Sequence, residues 1–178
     1  MQLFTKTLLV AVVLALLPAA GLPARAAGAA SGAEGLDLVG EARLKIMFWS
    51  IYESRLYCPD GVYRPGTRPL RLEIEYLRRI ESEALVDRTA EEWDAIGVED
   101  PARDAWLERL GELWPDVQKN DVLALRIDED GTAHFFHNDS YLGAIDDPAF
   151  GRYFADIWLS PKSTRPEIRL ALTGAQDD

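Results

Sequence analysis

Residues 42–57 read Ala-Arg-Leu-Lys-Ile-Met-Phe-Trp-Ser-Ile-Tyr-Glu-Ser-Arg-Leu-Tyr. The run is dense in β-branched and aromatic residues and contains neither glycine nor proline, which is strand composition. It is longer than a usual strand, so a bulge or sharp bend is expected to divide it near 49–51. Turns are marked downstream by Cys58-Pro59-Asp60-Gly61 and Pro65-Gly66. Residues 70–76 then alternate Leu70, Leu72, Ile74 and Tyr76 with Arg71, Glu73 and Glu75, the pattern of a half-buried strand.

From Ser82 the period changes. Leu85, Val86, Ala90, Trp93 and Ile96 share one helical face, with Ser82 read as N-cap and Gly97 as terminator. Asp100-Pro101 opens a second amphipathic helix carrying Trp106, Leu107, Leu110, Leu113 and Trp114, stopped by Pro115. Two hairpin-like strands follow at 122–127 and 132–137, joined through Asp130-Gly131, and a third short strand is expected at 141–145. Asp147-Pro148 opens a helix in which Phe150, Tyr153, Phe154, Ile157 and Trp158 form an apolar, aromatic face. Pro166 starts a last short helix ending at Gly174. This order predicts an α+β fold, a large antiparallel β-sheet covered on one face by α-helices.

The N-terminus is organised differently. A lone Lys6, an apolar run at 8–17 and the triplet Ala24-Arg25-Ala26 read as a secretory signal peptide cut after Ala26. The run is about half of what a spanning helix requires, so no stable membrane insertion is expected after cleavage. The chain divides into a leader at 1–26, a flexible linker at 27–37 and one domain at 38–174, with a periplasmic or secreted location. Cys58 is the one cysteine, so the fold must stand without an internal disulfide.

The formal net charge is −11, and loss of Lys6 and Arg25 with the leader leaves 17 basic against 30 acidic residues. A phosphate backbone requires a basic face, so nucleic acid is excluded as a partner. Protein partners are not specified by the sequence. His134 and His137 are three apart on a strand and face opposite ways, so no metal site is expected, and no cofactor either. Nucleophile elbows and glycine-rich phosphate loops are missing from the sequence. What remains is a chain rich in aromatics, with five Trp, six Tyr and six Phe, and with arginines set in or beside apolar strands: Arg43, Arg78 and Arg79. An arginine at the mouth of an apolar cleft orients a carboxylate or polarises a ketone; its plain alternative is a surface side chain lying along its neighbours.

Several segments carry a family likeness: Gly40-Glu41-Ala42-Arg43-Leu44, Ile51-Tyr52-Glu53-Ser54-Arg55-Leu56-Tyr57, Tyr76-Leu77-Arg78-Arg79-Ile80 and Leu113-Trp114-Pro115-Asp116-Val117. Leu142-Gly143-Ala144-Ile145, Asp147-Pro148-Ala149-Phe150, Ile157-Trp158-Leu159-Ser160 and Pro166-Glu167-Ile168-Arg169 continue it. In their order and spacing the chain resembles the chalcone isomerase-like superfamily, in its secreted bacterial branch. The resemblance implies an antiparallel sheet with helices on one face and a ligand cleft between the layers. Plant members close a chalcone ring by phenolate attack on an enone, with an arginine stabilising charge on the ketone oxygen; other members bind fatty acids.

Carried over by position, the family arginine corresponds to Arg43 and the catalytic threonine to Tyr52. Ile157 and Trp158 fall where plant enzymes contact substrate with a threonine and a methionine. The leading expectation is a small amphipathic ligand, such as a fatty acid, bound without catalysis. Arg43 would be buried beside an apolar void and meet the polar head, Tyr52 would add a hydrogen bond, and Phe154, Ile157 and Trp158 would line the apolar part. Arg78 and Arg79 are reserve anion contacts. The alternatives are an isomerase in which Arg43 and Tyr52 act on a chalcone-like enone, and an interaction protein whose cleft is filled by its own side chains.

Overall fold

The computed structural model describes residues 35–174, and it divides the run 42–57 between two antiparallel strands. β1 (Asp37–Ile46) and β2 (Trp49–Cys58) meet at a two-residue reversal, Met47-Phe48, where a bend was expected slightly later. Met47 carries the positive φ, 56°, that the turn requires. No Gly, Asn or Asp marks the place, although these residues usually occupy such turns. The leader at 1–26 and the linker up to residue 34 lie outside the described residues.

β3 (Leu70–Tyr76), β4 (Val122–Ile127), β5 (Ala133–His137) and β6 (Ser140–Ile145) complete a six-stranded antiparallel sheet whose spatial order is the chain order. Helices α1 (Ser82–Ile96) and α2 (Arg103–Leu113) are inserted between β3 and β4, while α3 (Pro148–Leu159) and α4 (Pro166–Thr173) follow β6. The fold is the α+β sheet-and-helix arrangement that the element order predicts. Among the described residues no helix is long and apolar enough to cross a membrane.

Register explains which face the helices cover. Leu56, Leu72, Leu125 and Phe135 pair in one row across four strands, and all are buried against the helical layer. From that layer Trp93, Trp106, Phe150, Phe154 and Trp114 contribute rings in mostly edge-to-face contacts with centroids 5.5–6.1 Å apart. Such pairs add stability beyond the area they bury.

The other face of the sheet is a ladder of charges. Arg43 pairs with Glu53, Arg55 lies 3.3 Å from Glu75, and Arg71 lies 2.8 Å from Glu73. Arg71 also stacks 5.4 Å above the Phe136 ring and is only 2% exposed. The alternation in β3 predicts its charged residues to be solvated; instead Arg71 and Glu73 are buried by the side chains of neighbouring strands.

Ends of helices are set by tertiary partners as well as local ones. Ser82 is the first residue of α1 and not its cap: Glu81 occupies that position, and Asp116 Oδ1 accepts the Ser82 N–H at 3.0 Å. That contact, together with the Arg79 guanidinium, holds the Asp116 carboxyl below the usual range. Asp147 caps α3 through the Ala149 N–H at 2.9 Å. Glycine is required at position 40, where α4 crosses β1: a Cβ there would sit 2.2 Å from the Ala171 carbonyl oxygen.

Candidate functional site

Between sheet and helices lies a cavity of about 340 Å³, within the range of small-molecule sites. Its floor is the covered face of the sheet, with Leu44, Leu72, Ile74, Leu123, Leu125 and Phe135. Leu85 of α1, Trp114 after α2, and Phe154, Ile157 and Trp158 of α3 close the other side. These positions follow from two periods, every second residue on the strands and three or four residues apart on the helices. Ile46, Ala84 and Arg88 both line the cavity and are exposed, and so define its mouth.

The polar lining gathers about Tyr52. Trp158 donates its indole N–H to the Tyr52 hydroxyl at 3.0 Å, tying α3 to β2. The Tyr52 proton has no acceptor among the described residues, so the hydroxyl keeps a donor for an oxygen in the cavity. Burial pushes this phenol up to about 12, against the opposing effect of the indole bond, so it stays neutral. Tyr76, whose ring meets that of Tyr52 edge-on at 6.4 Å, is likewise pushed up by burial.

Charge reaches Tyr52 from Glu92, Arg165 and Arg88, all of which line the cavity. Buried Glu92 bonds Arg88 and accepts from the Thr164 hydroxyl at 2.6 Å. Arg88 also lies 2.8 Å from Glu91, so its charge is doubly compensated. Arg165, half-buried where the chain enters α4, forms no ion pair among the described residues. It is the cation of the cavity wall with unspent charge.

Residues 24–174 match the family model described as chalcone isomerase-like. The chain belongs to the chalcone isomerase-like family. No curated protein matches it. Among solved structures, the crystal structure of an Arabidopsis thaliana fatty-acid binding protein is similar, with a TM-score of 0.62 and 10% identity, covering 82% of this chain and 90% of that one. At that identity the likeness shows a shared fold.

Of the residues the sequence singles out in this chalcone isomerase-like chain, Tyr52, Phe154, Ile157 and Trp158 are brought together in the cavity wall. Arg43, Arg78 and Arg79 are not among its lining. Arg43 lies on the opposite face of the sheet, its side chain 52% exposed and its guanidinium bonded to Glu53. The expected burial of this guanidinium beside a void is therefore corrected. The cause is the register of the hairpin. In an unbroken two-residue hairpin, continuing the pairs Ile46↔Trp49 and Lys45↔Ser50 would set Arg43 opposite Tyr52 on one face. An extra residue at Ile51 shifts the ladder, so that Leu44 faces Tyr52 and Arg43 faces Glu53. The bulge falls within the expected stretch, at Ile51, and it separates Arg43 from Tyr52. Arg79 bonds Asp116 at 3.1 Å, and Arg78 is exposed.

Sequence reasoning missed Arg88, Glu92 and Arg165. Arg88 and Glu92 are one helical turn apart and could have been read as a pair on α1, one residue off its apolar face. Arg165 sits in the loop between α3 and α4, where no periodicity assigns a direction.

Proposed function

We propose that this chalcone isomerase-like chain holds one small amphipathic molecule of the fatty-acid type in its cavity, without transforming it. The observation that carries this reading is the polarity of the cavity wall: aliphatic and aromatic along the sheet, with the unused Tyr52 donor, oriented by Trp158, and the Arg165 cation, which has no ion pair among the described residues. A carboxylate would take the Arg165 guanidinium and the unused Tyr52 proton, while its chain lies along Ile74, Leu123, Leu125 and Phe154. Burying that chain supplies most of the affinity, at about 0.8 kcal/mol per methylene. The Arabidopsis protein of the same fold is described as a fatty-acid binding protein, which supports the ligand class.

The isomerase reading asks Arg43 and Tyr52 to act on one carbonyl, and these groups stand on opposite faces of the sheet. We also place the protein in the secreted bacterial branch of its family and in the periplasm or beyond, on the strength of the leader pattern at 1–26. Native mass spectrometry of the chain purified from its host is expected to show one bound amphiphile, which an added fluorescent fatty acid displaces. A ligand-free mass together with no uptake of the probe would contradict the proposal. Sequencing the N-terminus of the exported protein is expected to begin at Ala27.

A further inference from the structure

The β1–β2 hairpin ends in the largest exposed apolar cluster of the described chain. Ile46, Met47, Phe48 and Trp49 are consecutive and 45%, 84%, 95% and 69% exposed. Four such residues at a protruding tip are not accounted for by packing, because the core is complete without them. They are also not separate from the cavity. Ile46 lines it, and Trp49, the strand partner of Ile46, projects from the same face of the sheet. The apolar wall of the cavity thus runs out along the hairpin to its end.

The charges around the tip are unlike those of the rest of the molecule. Although the chain carries a net charge of −11, residues 45–52 include one lysine and no acid. The segment after β3 is fixed beside the hairpin by the Leu77 N–H, which donates to the Ile51 carbonyl at 2.9 Å, and it presents exposed Arg78. Neither Lys45 nor Arg78 forms an ion pair among the described residues. An apolar wedge is therefore flanked by two uncompensated cations on long stems.

We propose that this tip docks on a phospholipid bilayer, with Met47, Phe48 and Trp49 entering the interface and Lys45 and Arg78 reaching the phosphates. Tryptophan favours that boundary, and lysine and arginine stems lie along apolar surface while their heads stay wet. Two cations are fewer than the roughly four to eight of a segment that binds through anionic lipid, so insertion of the apolar tip is the main contribution and a zwitterionic bilayer suffices. A second copy of the chain is a poorer occupant, because a stable interface needs roughly 800 Å² from each partner over some 20 residues or more. Four residues on a convex tip offer far less. Docking would set the cavity mouth at the lipid surface, where an amphiphile enters or leaves. That consequence rests on the ligand reading, whereas the docking does not.

The test uses phosphatidylcholine vesicles without any cavity ligand, so its failure is distinct from failure of the ligand proposal. The chain from Ala27 onward is used, since one sheet and one core are complete within 35–174 and the apolar run at 8–17 would itself bind lipid. The protein is expected to co-float with the vesicles and to shift its tryptophan emission to the blue, a shift lost in Trp49→Phe. Phe48→Asp and Trp49→Ser are each expected to weaken partitioning roughly tenfold or more. Phe48→Leu is expected to retain it. Because these positions are exposed, unchanged thermal melts will separate lost docking from lost folding. Failure of the parent chain to float, or equal flotation of the Asp and Ser variants, overturns the proposal. So does a dimer seen by light scattering that Phe48→Asp converts to monomer, which would give the tip to a second copy.

Discussion

The indole N–H of Trp158 lies 3.0 Å from the hydroxyl of Tyr52, and this single bond joins α3 to β2 across the rim of the cavity. It fixes the phenol as an acceptor on one side and leaves its proton for a ligand on the other. Trp158→Phe keeps the aromatic packing and removes the donor. Its expected cost in urea unfolding is about 1 kcal/mol, the net value of a typical hydrogen bond, together with weaker ligand binding. An unfolding midpoint and affinity equal to those of the parent would show that the bond positions nothing.

Tyr52 also makes stability depend on alkaline pH. Its folded pKa, about 12, lies above the 10.0 of the unfolded phenol. A group raised in this way contributes its full share of stability below about pH 10 and loses it as pH climbs through 12. That rise sets an upper bound on the order of 3 kcal/mol for the stability lost over that window. Urea midpoints measured from about pH 9 to about pH 11.5 should fall, and Tyr52→Phe should flatten the fall relative to the parent.

Cys58 is fully buried at the end of β2, and burial pushes its thiol up to about 11. A thiolate is the reactive form, so the native protein at neutral pH is expected to resist a disulfide reagent and to react in full once unfolded in urea. Rapid labelling of the folded chain would mean that this end of the strand opens readily.

Gly40→Ala tests the crossing of α4 over β1. The added methyl would meet the Ala171 and Leu172 carbonyl oxygens at 2.2 and 2.7 Å, backbone atoms that move only with the helix. Overpacking of this kind costs roughly 1–3 kcal/mol. Thermal unfolding should show the loss, while a neutral substitution would place α4 farther from the strand.

Much of this architecture was legible because apolar periodicity follows burial directly. Leu70, Leu72, Ile74 and Tyr76 define β3, and the spacing of Phe150, Phe154, Ile157 and Trp158 defines both α3 and the aromatic wall of the cavity. The hairpin at Met47-Phe48 was hidden because the chain reverses through residues that rarely turn, with exposed apolar side chains that mimic a buried strand. The same ambiguity extends to Arg43: on a bent strand it would be available to the cavity, whereas hairpin and bulge together send it to the charged face. Arg165 belongs to a loop, and its direction is set by how α3 and α4 pack, which no local pattern reports.

The cavity is thus proposed to recognise its ligand through Arg165 and not through the arginine that the family likeness suggests. Isothermal titration of a long-chain fatty acid into the parent, Arg165→Ala and Arg43→Ala chains separates the two most directly. Loss of a charged hydrogen bond, about 1.5–3 kcal/mol, predicts affinity reduced roughly ten- to hundredfold in Arg165→Ala. Arg43→Ala should bind as the parent does. The reverse outcome, full affinity without Arg165 and loss without Arg43, would contradict the account.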